Sequence, residues 1–379
     1  MTAWHDGALR SPVSGDTLRP DTPHSLAAGQ ERWPVVDGIP FLRADRRGLA
    51  DAALDRLDGG DPDGALVLLL ADQDNWARSA PPDEASRRSV VRNANALSFR
   101  AAMDLLAFGP VGTYFAHRWS DPTFLSGLAL AEAHRRPGPV LELACGAGHF
   151  LREFARMDEA ATGGDIVFAK LWLARRYVSP AARLVCFDAA AAWPFGDSAF
   201  ETVFCHDAFY FLPDKPHVAA EMRRVGRLVL VGHAHNALVD NLSSGQPMTP
   251  DGYAALFEGA VLYDDRELTA ALVGTRAPRP AEAAELAVAP ALSWAVGAGP
   301  ARAVSDGMAM PTAGAGLRRN PLYRDGAVVW PSDRYKTEYA ALATYPLAST
   351  VPNDAVMGTD PATDALARRR ALLDLPPAW

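Results

Sequence analysis

The sequence predicts an α/β fold built on a mainly parallel sheet with helices on both faces. Three observations predict it. Between about residues 138 and 236, short apolar runs alternate with helix-like stretches, the pattern of successive βαβ units. The first run ends in a turn of small residues, Ala144-Cys145-Gly146-Ala147-Gly148. Acidic residues stand at the ends of the first three runs, as Glu142, Asp165 and Asp188. In such a sheet the carboxyl ends of the strands open onto one crevice, where ligands bind.

The elements follow in order. GPVLEL (138–143) is the first strand and HFLREFARMDEA (149–160) the first helix. ATGGDI (161–166) is the second strand and leads into the helix-like FAKLWLARRYV (168–178). ARLVCFDA (182–189) and FETVFCHDAFYF (200–211) are the third and fourth strands. KPHVAAEMRRV (215–225) is helical and RLVLVGHAHN (227–236) is a fifth strand.

Upstream, residues 1–45 are turn-rich, with one strand pair around RWPVVDGIPFL (32–42). Residues 46–136 read mostly as helix, through GLADAALDRLDG (48–59), a longer amphipathic segment over 86–108, and 123–136, stopped by Pro137-Gly138. Downstream, 253–274 mixes helix and loop, 278–296 is a helix start plus a strand, and 297–327 is Gly/Pro-rich loop. The tail from 345 is an extended segment followed by a short helix.

Composition narrows the function classes. A chain of 379 residues with 49% hydrophobic residues has the makings of a large core. Its net charge of −8 gives no general attraction to nucleic acid, which is not an expected partner. Three cysteines, Cys145, Cys186 and Cys205, are too few and too scattered for a disulfide framework, and a cytoplasmic location is expected. The N-terminus lacks the basic-then-apolar pattern of a signal peptide, and ALVLLLA (65–71) is too short to span a bilayer.

The turn at 144–148 lets the backbone approach a ligand closely. It has neither the spacing of a dinucleotide loop nor the Lys-Ser/Thr of a phosphate loop. Glu142 puts a charge at the end of an apolar strand, where burial is costly without a partner such as a bound amine. Asp165 could accept hydrogen bonds from a ribose diol, and Asp188 could receive an exocyclic amine. Three carboxylates at three adjacent strand tips are more specific than any one of them.

Together, VLELACGAGHFLREFA, GGDIVFAKLWLARRYV, LVCFDAAAAWPFGDSAFETVFCHDAFYFLPD and AAEMRRVGRLVLVG resemble the class I S-adenosylmethionine-dependent methyltransferases over about 138–236. The resemblance implies a Rossmann-like sheet of seven mostly parallel strands. It implies that S-adenosylmethionine binds, with S-adenosylhomocysteine as product. Glu142, Ala144, Cys145, Gly146 and Gly148 would cradle its methionine part, Asp165 and Ile166 its ribose, and Asp188 with Ala189 its adenine. Cys205 and His206 would complete the set. Ala144 stands where the family has Gly, which is tolerable if its φ is negative. The expected units are a 1–45 N-terminal region, a 46–136 helical cap on the substrate side, a 137–296 methyltransferase domain, and a 297–379 extension completing the sheet or the substrate pocket.

Methyl transfer to a hydroxyl or amine needs in-line positioning and removal of a proton. Candidates for that chemistry are His206 and Asp207 after the fourth strand and His233 and His235 at the end of the fifth. Two histidines two apart raise a metal, yet no compelling third ligand is visible, and none is expected. His117, Arg118, Trp119, and the stretches 318–323 and 330–339, are candidates to line the acceptor pocket. The large accessory share favours a bulky small molecule, a natural product or a sugar or glycan intermediate, and a homodimer is admitted. The competing readings are a non-methylating reaction such as cyclisation or decarboxylation, and a non-catalytic binding protein.

The stretch Arg10-Ser11-Pro12-Val13-Ser14-Gly15-Asp16, with Trp33-Pro34-Val35-Val36-Asp37-Gly38-Ile39-Pro40 after it, resembles a Trm112-type zinc-ribbon domain. Serines stand at the first pair of thiolates and no second pair follows, so this region is expected to hold no zinc.

Overall fold

The computed structural model describes residue 4 and residues 7–73, 80–242 and 245–379. Four short strands open the chain, β1 (Arg19–Thr22), β2 (Ser25–Ala28), β3 (Glu31–Val36) and β4 (Ile39–Pro40), in one antiparallel sheet. β3 and β4 are the strand pair read from the sequence. Val36 pairs with Ile39 across Asp37 and Gly38, whose φ of 48° and 73° suit a two-residue hairpin turn. Residues 11–15 form a tight turn held by a hydroxyl. Ser11 Oγ accepts the N–H groups of Val13 (3.1 Å) and Ser14 (3.2 Å) and donates to the Glu31 carboxylate. This N-terminal region is therefore β-rich and held by hydrogen bonds and by the buried Leu9, Leu18, Leu26, Trp33 and Ile39.

Six helices follow: α1 (Arg47–Asp58), α2 (Pro62–Leu69), α3 (Glu84–Asn93), α4 (Phe99–Leu105), α5 (Gly109–His117) and α6 (Pro122–His134). The single helix expected over 86–108 is two. Ser98 adopts an extended conformation and its side chain caps α4 by accepting the N–H of Ala101 at 3.2 Å, so the local capping chemistry breaks the amphipathic run.

The central sheet contains β5 (Val140–Leu143), β6 (Ala161–Asp165), β7 (Arg183–Cys186), β8 (Phe200–His206), β9 (Gly226–His235), β10 (Val261–Asp264) and β11 (Ala291–Val296), in the order β10-β11-β9-β8-β5-β6-β7. The first five pair in parallel, and β11 runs antiparallel to both β9 and β10. This is the expected Rossmann-like α/β sheet. The strand order reverses between β5 and β8, which places the crevice at their carboxyl ends. The reading lacked β10, because VLYD is a four-residue run between two helices and carries no periodicity of its own. All seven strands fall within 140–296, and the segment 297–379 supplies none of them.

The remaining core helices are α7 (His149–Arg156), α8 (Phe168–Leu173), α9 (Lys215–Val225), α10 (Pro250–Leu256) and α11 (Asp265–Val273). β5 is buried at every residue, as a strand covered on both faces must be. On one face Phe124 of α6 meets Phe150 of α7 at 4.6 Å, and Phe150 meets Phe204 of β8 at 4.9 Å. On the other, Phe209, Tyr253 and Phe257 surround Trp294 of β11 at 4.9–5.6 Å. Among the described residues no helix is long and apolar enough to cross a membrane.

The N-terminal region closes the β7 edge of the sheet. Phe41 bridges Cys186, Leu42 N–H donates to Cys186 O at 2.7 Å, and Leu9 bridges Phe195. The C-terminal segment packs instead on α5 and the turn after it. Trp379 Nε1 donates to Ala116 O at 2.7 Å, and Ser120 Oγ to Asn320 Oδ1 at 3.0 Å.

Candidate active site

The turn after β5 is built from left-handed residues. Ala144, Gly146 and Gly148 have φ of 52°, 54° and 82°. The φ of Ala144 is thus positive, against the condition under which an alanine sits there without strain. Its Cβ crowds the following carbonyl, costing about 1–2 kcal/mol. Ala144→Gly is expected to raise the thermal midpoint, with a gain of about 1 kcal/mol after the added freedom of the unfolded chain is subtracted. The two true glycines lie close to neighbours. A Cβ on Gly146 would stand 3.1 Å from the Phe115 ring, and one on Gly148 would stand 2.9 Å from Ala174 Cβ.

Two carboxylates brace this turn differently. Asp165 is buried and accepts the N–H groups of Gly146 and Val167, each at 2.9 Å, so it ties the first strand tip to the second. Glu142 is buried with Oε2 unpartnered among the described residues. Burial pushes its carboxyl well above 4.5. Because the folded value is raised, the stability of the protonated form is complete below the unfolded pKa and is lost as pH rises toward the folded one. Glu142→Gln is therefore expected to match the parent near pH 4 and to exceed it in thermal midpoint increasingly as pH rises, checked by thermal unfolding from pH 4 to 9.

At the third tip, Asp188 accepts the N–H of Ala190 at 2.9 Å, and Ala189 O accepts Trp193 Nε1 at 3.0 Å. Trp193, Pro194 and Phe195 are all buried, and Phe187 packs on the two aromatics at 5.7 and 5.6 Å. Ile166 O accepts the buried guanidinium of Arg43 at 2.6 Å, and Asp72 pairs with the same side chain at 3.1 Å.

A polar cluster fills the tips of β8 and β9. Asp207 receives the hydroxyls of Tyr114 (2.7 Å) and Tyr210 (2.8 Å). His233 Nδ1 lies 2.5 Å from Asp265 Oδ2, and Ser293 and Ser126 hold that carboxylate at 2.5 and 2.9 Å. The rings of His233 and His235 are 5.2 Å apart, and Tyr210 lies 4.4 Å from His235. The pairing of β9 with β11 is irregular between Leu292 and Trp294, where His233 N–H donates to Ser293 Oγ and His233 has φ 51°. Asp207 also sits at positive φ, 55°. Strained polar residues at adjacent strand tips make this a candidate functional locus.

The titrations diverge. Burial disfavours charge on His233, but Asp265 and Asp207 outweigh it and hold its pKa at about 9. Burial and the neighbouring His233 push His235 down, so its imidazole is the neutral one. Asp207 is held well below the usual carboxylate range, burial opposing and His233 and Arg118 prevailing.

Residues 140–227 match the family described as a methyltransferase domain. Over that span the chain is similar to a methyltransferase domain. No curated protein matches the chain. Among solved structures, the PH0226 protein of Pyrococcus horikoshii is 25% identical over 28% of this chain, with a TM-score of 0.26; the match spans half of that protein. A complex of the Haloferax volcanii Trm112 methyltransferase activator with a methyltransferase aligns at 18% identity, 51% and 93% coverage of this chain and that one, and TM-score 0.37. A Haemonchus contortus N-methyltransferase 2, solved with phosphomonomethylethanolamine and S-adenosylhomocysteine, aligns at 16%, 52% and 59%, and 0.36.

Within this core, Glu142, the 144–148 turn and Asp165 come together, and Asp207, His233 and His235 form a second group. His206 stands apart from the role of base. Arg118 Nη2 lies 2.8 Å from His206 Nδ1, and since a guanidinium only donates, that nitrogen is the acceptor and Nε2 carries the proton. No basic nitrogen is left. Its ring is wedged between Gly127 and Gly232, where a Cβ would come within 2.5 Å of it. Cys205 is fully buried. His117, Arg118 and Trp119 are buried, as are Tyr335 and Tyr339 from the C-terminal segment; Arg118 reaches His206 and Asp207, whereas Trp119 packs on His149 at 4.3 Å and His117 on Tyr335 at 6.2 Å. The sequence reading missed Asp265, Tyr114 and Tyr210. Only the carboxylate in the helix-capping Asp264-Asp265 pair carried any signal, and capping explains it equally well.

Proposed function

We propose that this core moves a methyl group to an oxygen or nitrogen of a bulky small molecule, a natural product or a sugar or glycan intermediate. His235 acts as the base in this reading. The observation that supports it is a neutral imidazole whose buried Nδ1 has no partner among the described residues, set beside Asp207 and the His233–Asp265 pair at the strand tips.

The unpartnered Oε2 of Glu142 and the left-handed turn fit the amine and main chain of a methionine moiety. Glu142, Ala144, Cys145, Gly146 and Gly148 would hold that part, Asp165 and Ile166 the ribose, and Asp188 and Ala189 the adenine. Bound S-adenosylmethionine supplies an electrophilic methyl group. The chain itself must hold the acceptor in line, keep water out and take its proton. Asp207, fixed by two tyrosine hydroxyls, would accept a hydrogen bond from an acceptor hydroxyl or amine. His235 then takes the proton, and the His233–Asp265 pair stays charged beside it.

A panel of hydroxylated and amino acceptors, assayed for S-adenosylhomocysteine formation, tests this. His235→Ala is expected to lower kcat by about 10²–10⁴-fold, with S-adenosylhomocysteine affinity kept. Product formed with the cofactor intact would point to a non-methylating reaction. Full activity in His235→Ala would remove His235 as base.

A further inference from the structure

We infer that Asp207, His233 and His235 form a binding site for a divalent transition-metal ion. One ligand atom from each of the three side chains lies within 4.8 Å of the other two. Bonds of about 2.0–2.2 Å place neighbouring ligand atoms about 3–3.5 Å apart, so closing on an ion takes side-chain shifts of about 1 Å. The ligands come from two adjacent strand tips, β8 and β9, and the sequence showed only the two histidines as a pair.

The surroundings are those of a metal centre. His233 gives Nδ1 to Asp265 at 2.5 Å, which fixes the ring, and an ion at Nε2 would displace the proton that nitrogen otherwise carries. A carboxylate behind a ligating imidazole is the usual orienting arrangement, and Asp265 is itself held by Ser126 and Ser293. Asp207 is oriented by Tyr114 and Tyr210, one hydroxyl on each oxygen, and each oxygen keeps a second lone pair. His235 Nδ1 is buried and unpartnered among the described residues. Two imidazoles and one carboxylate suit Zn²⁺, Co²⁺, Fe²⁺ or Mn²⁺ rather than Mg²⁺ or Ca²⁺, which prefer all-oxygen sites.

With an ion in place the two histidines would be ligands, and the base role proposed for His235 would hold for the metal-free protein alone. An acceptor hydroxyl would bind an open position through oxygen, and its O–H proton would pass to water as the metal–oxygen bond forms. This use of the site rests on reading the strand tips as the acceptor side; the metal binding does not.

The test uses the full chain, stripped with chelator and titrated with Co²⁺, followed by visible absorption and by equilibrium dialysis with elemental analysis. One Co²⁺ per chain is expected. Asp207→Asn, His233→Ala and His235→Ala are each expected to weaken binding by about 100-fold or more, and His217→Ala, away from the cluster, to leave it unchanged. No binding by the parent chain, or equal binding by all three variants, overturns the proposal. If the variants misfold by circular dichroism, X-ray absorption of the Co²⁺-loaded parent decides: two imidazoles in the coordination shell are expected, and none refutes it. S-adenosylhomocysteine is titrated into the same samples. Its binding without Co²⁺ sinks the metal site alone, and Co²⁺ binding without it sinks the methyl-transfer reading alone.

Discussion

Arg118→Met is expected to destabilise the protein by about 3–5 kcal/mol, a fall of about 4–6 °C in thermal midpoint. Arg118 is 3% exposed. Its Nη1 donates to Asp121 Oδ2 at 2.9 Å and Thr123 Oγ1 at 2.5 Å, and its Nη2 to His206 Nδ1 at 2.8 Å, with Asp207 Oδ2 at 3.9 Å. Its guanidinium also lies over the rings of Tyr114, Phe124 and Phe150 at 5.1–5.8 Å. Methionine fills much of that volume but leaves Asp121, which has no exposed surface, without its cation. Burial already raises the Asp121 pKa against the pull of Arg118. Losing the cation raises it further, so the deficit grows with pH and shrinks as Asp121 is protonated in acid. Arg118→Lys is expected to recover less than half of the loss, because one ammonium cannot serve carboxylate and imidazole in the same fork. A flat difference between pH 4 and 9 would show that packing, not charge, carries the effect.

Gly148→Val has the second large consequence, and it falls on ligand binding. Gly148 is the N-cap of α7 with φ 82°, and a Cβ there would meet Ala174 Cβ at 2.9 Å. Ala174 starts the π-helical turn Ala174–Val178 after α8 and is fixed by its backbone, so it cannot swing aside. A β-branched residue must therefore move α7 or this turn, and the loop 144–148 with them. Left-handed strain and overpacking together are expected to cost about 2–4 kcal/mol. S-adenosylhomocysteine affinity is expected to fall by about 100-fold or more, since a displacement near 1 Å misplaces the amides proposed to face the ligand.

Sheet and turn were legible because their signals are local. Short runs of mostly apolar or small residues alternating with helix-like stretches located β5 to β9, and the small residues at 144–148 marked the turn. The misses share a cause too. VLYD at 261–264 is defined by pairing with β11, not by its own pattern, and the helix break at 94–98 rests on one Ser98 cap. The site was half visible. Glu142, Asp165, Asp207, His233 and His235 stand at strand ends, where chain position alone nominates them. Their partners do not: Tyr114 lies 93 residues from Asp207, Arg118 lies 88 from His206, and Asp265 lies 32 from His233. Those long-range contacts decide which imidazole keeps a basic nitrogen. They remove His206 as a base and give Asp207 a place beside the two histidines. Ala144 shows the opposite limit, since its identity gave no hint that the backbone there is left-handed.

The central claim is that the crevice at the carboxyl ends of β5 to β8 binds S-adenosylmethionine. Isothermal titration of S-adenosylhomocysteine into the parent chain and Gly148→Val tests it most directly. One site per parent chain, weakened by about 100-fold or more in a variant that stays folded by circular dichroism, is the predicted result. No binding to the parent chain, or equal affinity in the two, would contradict it.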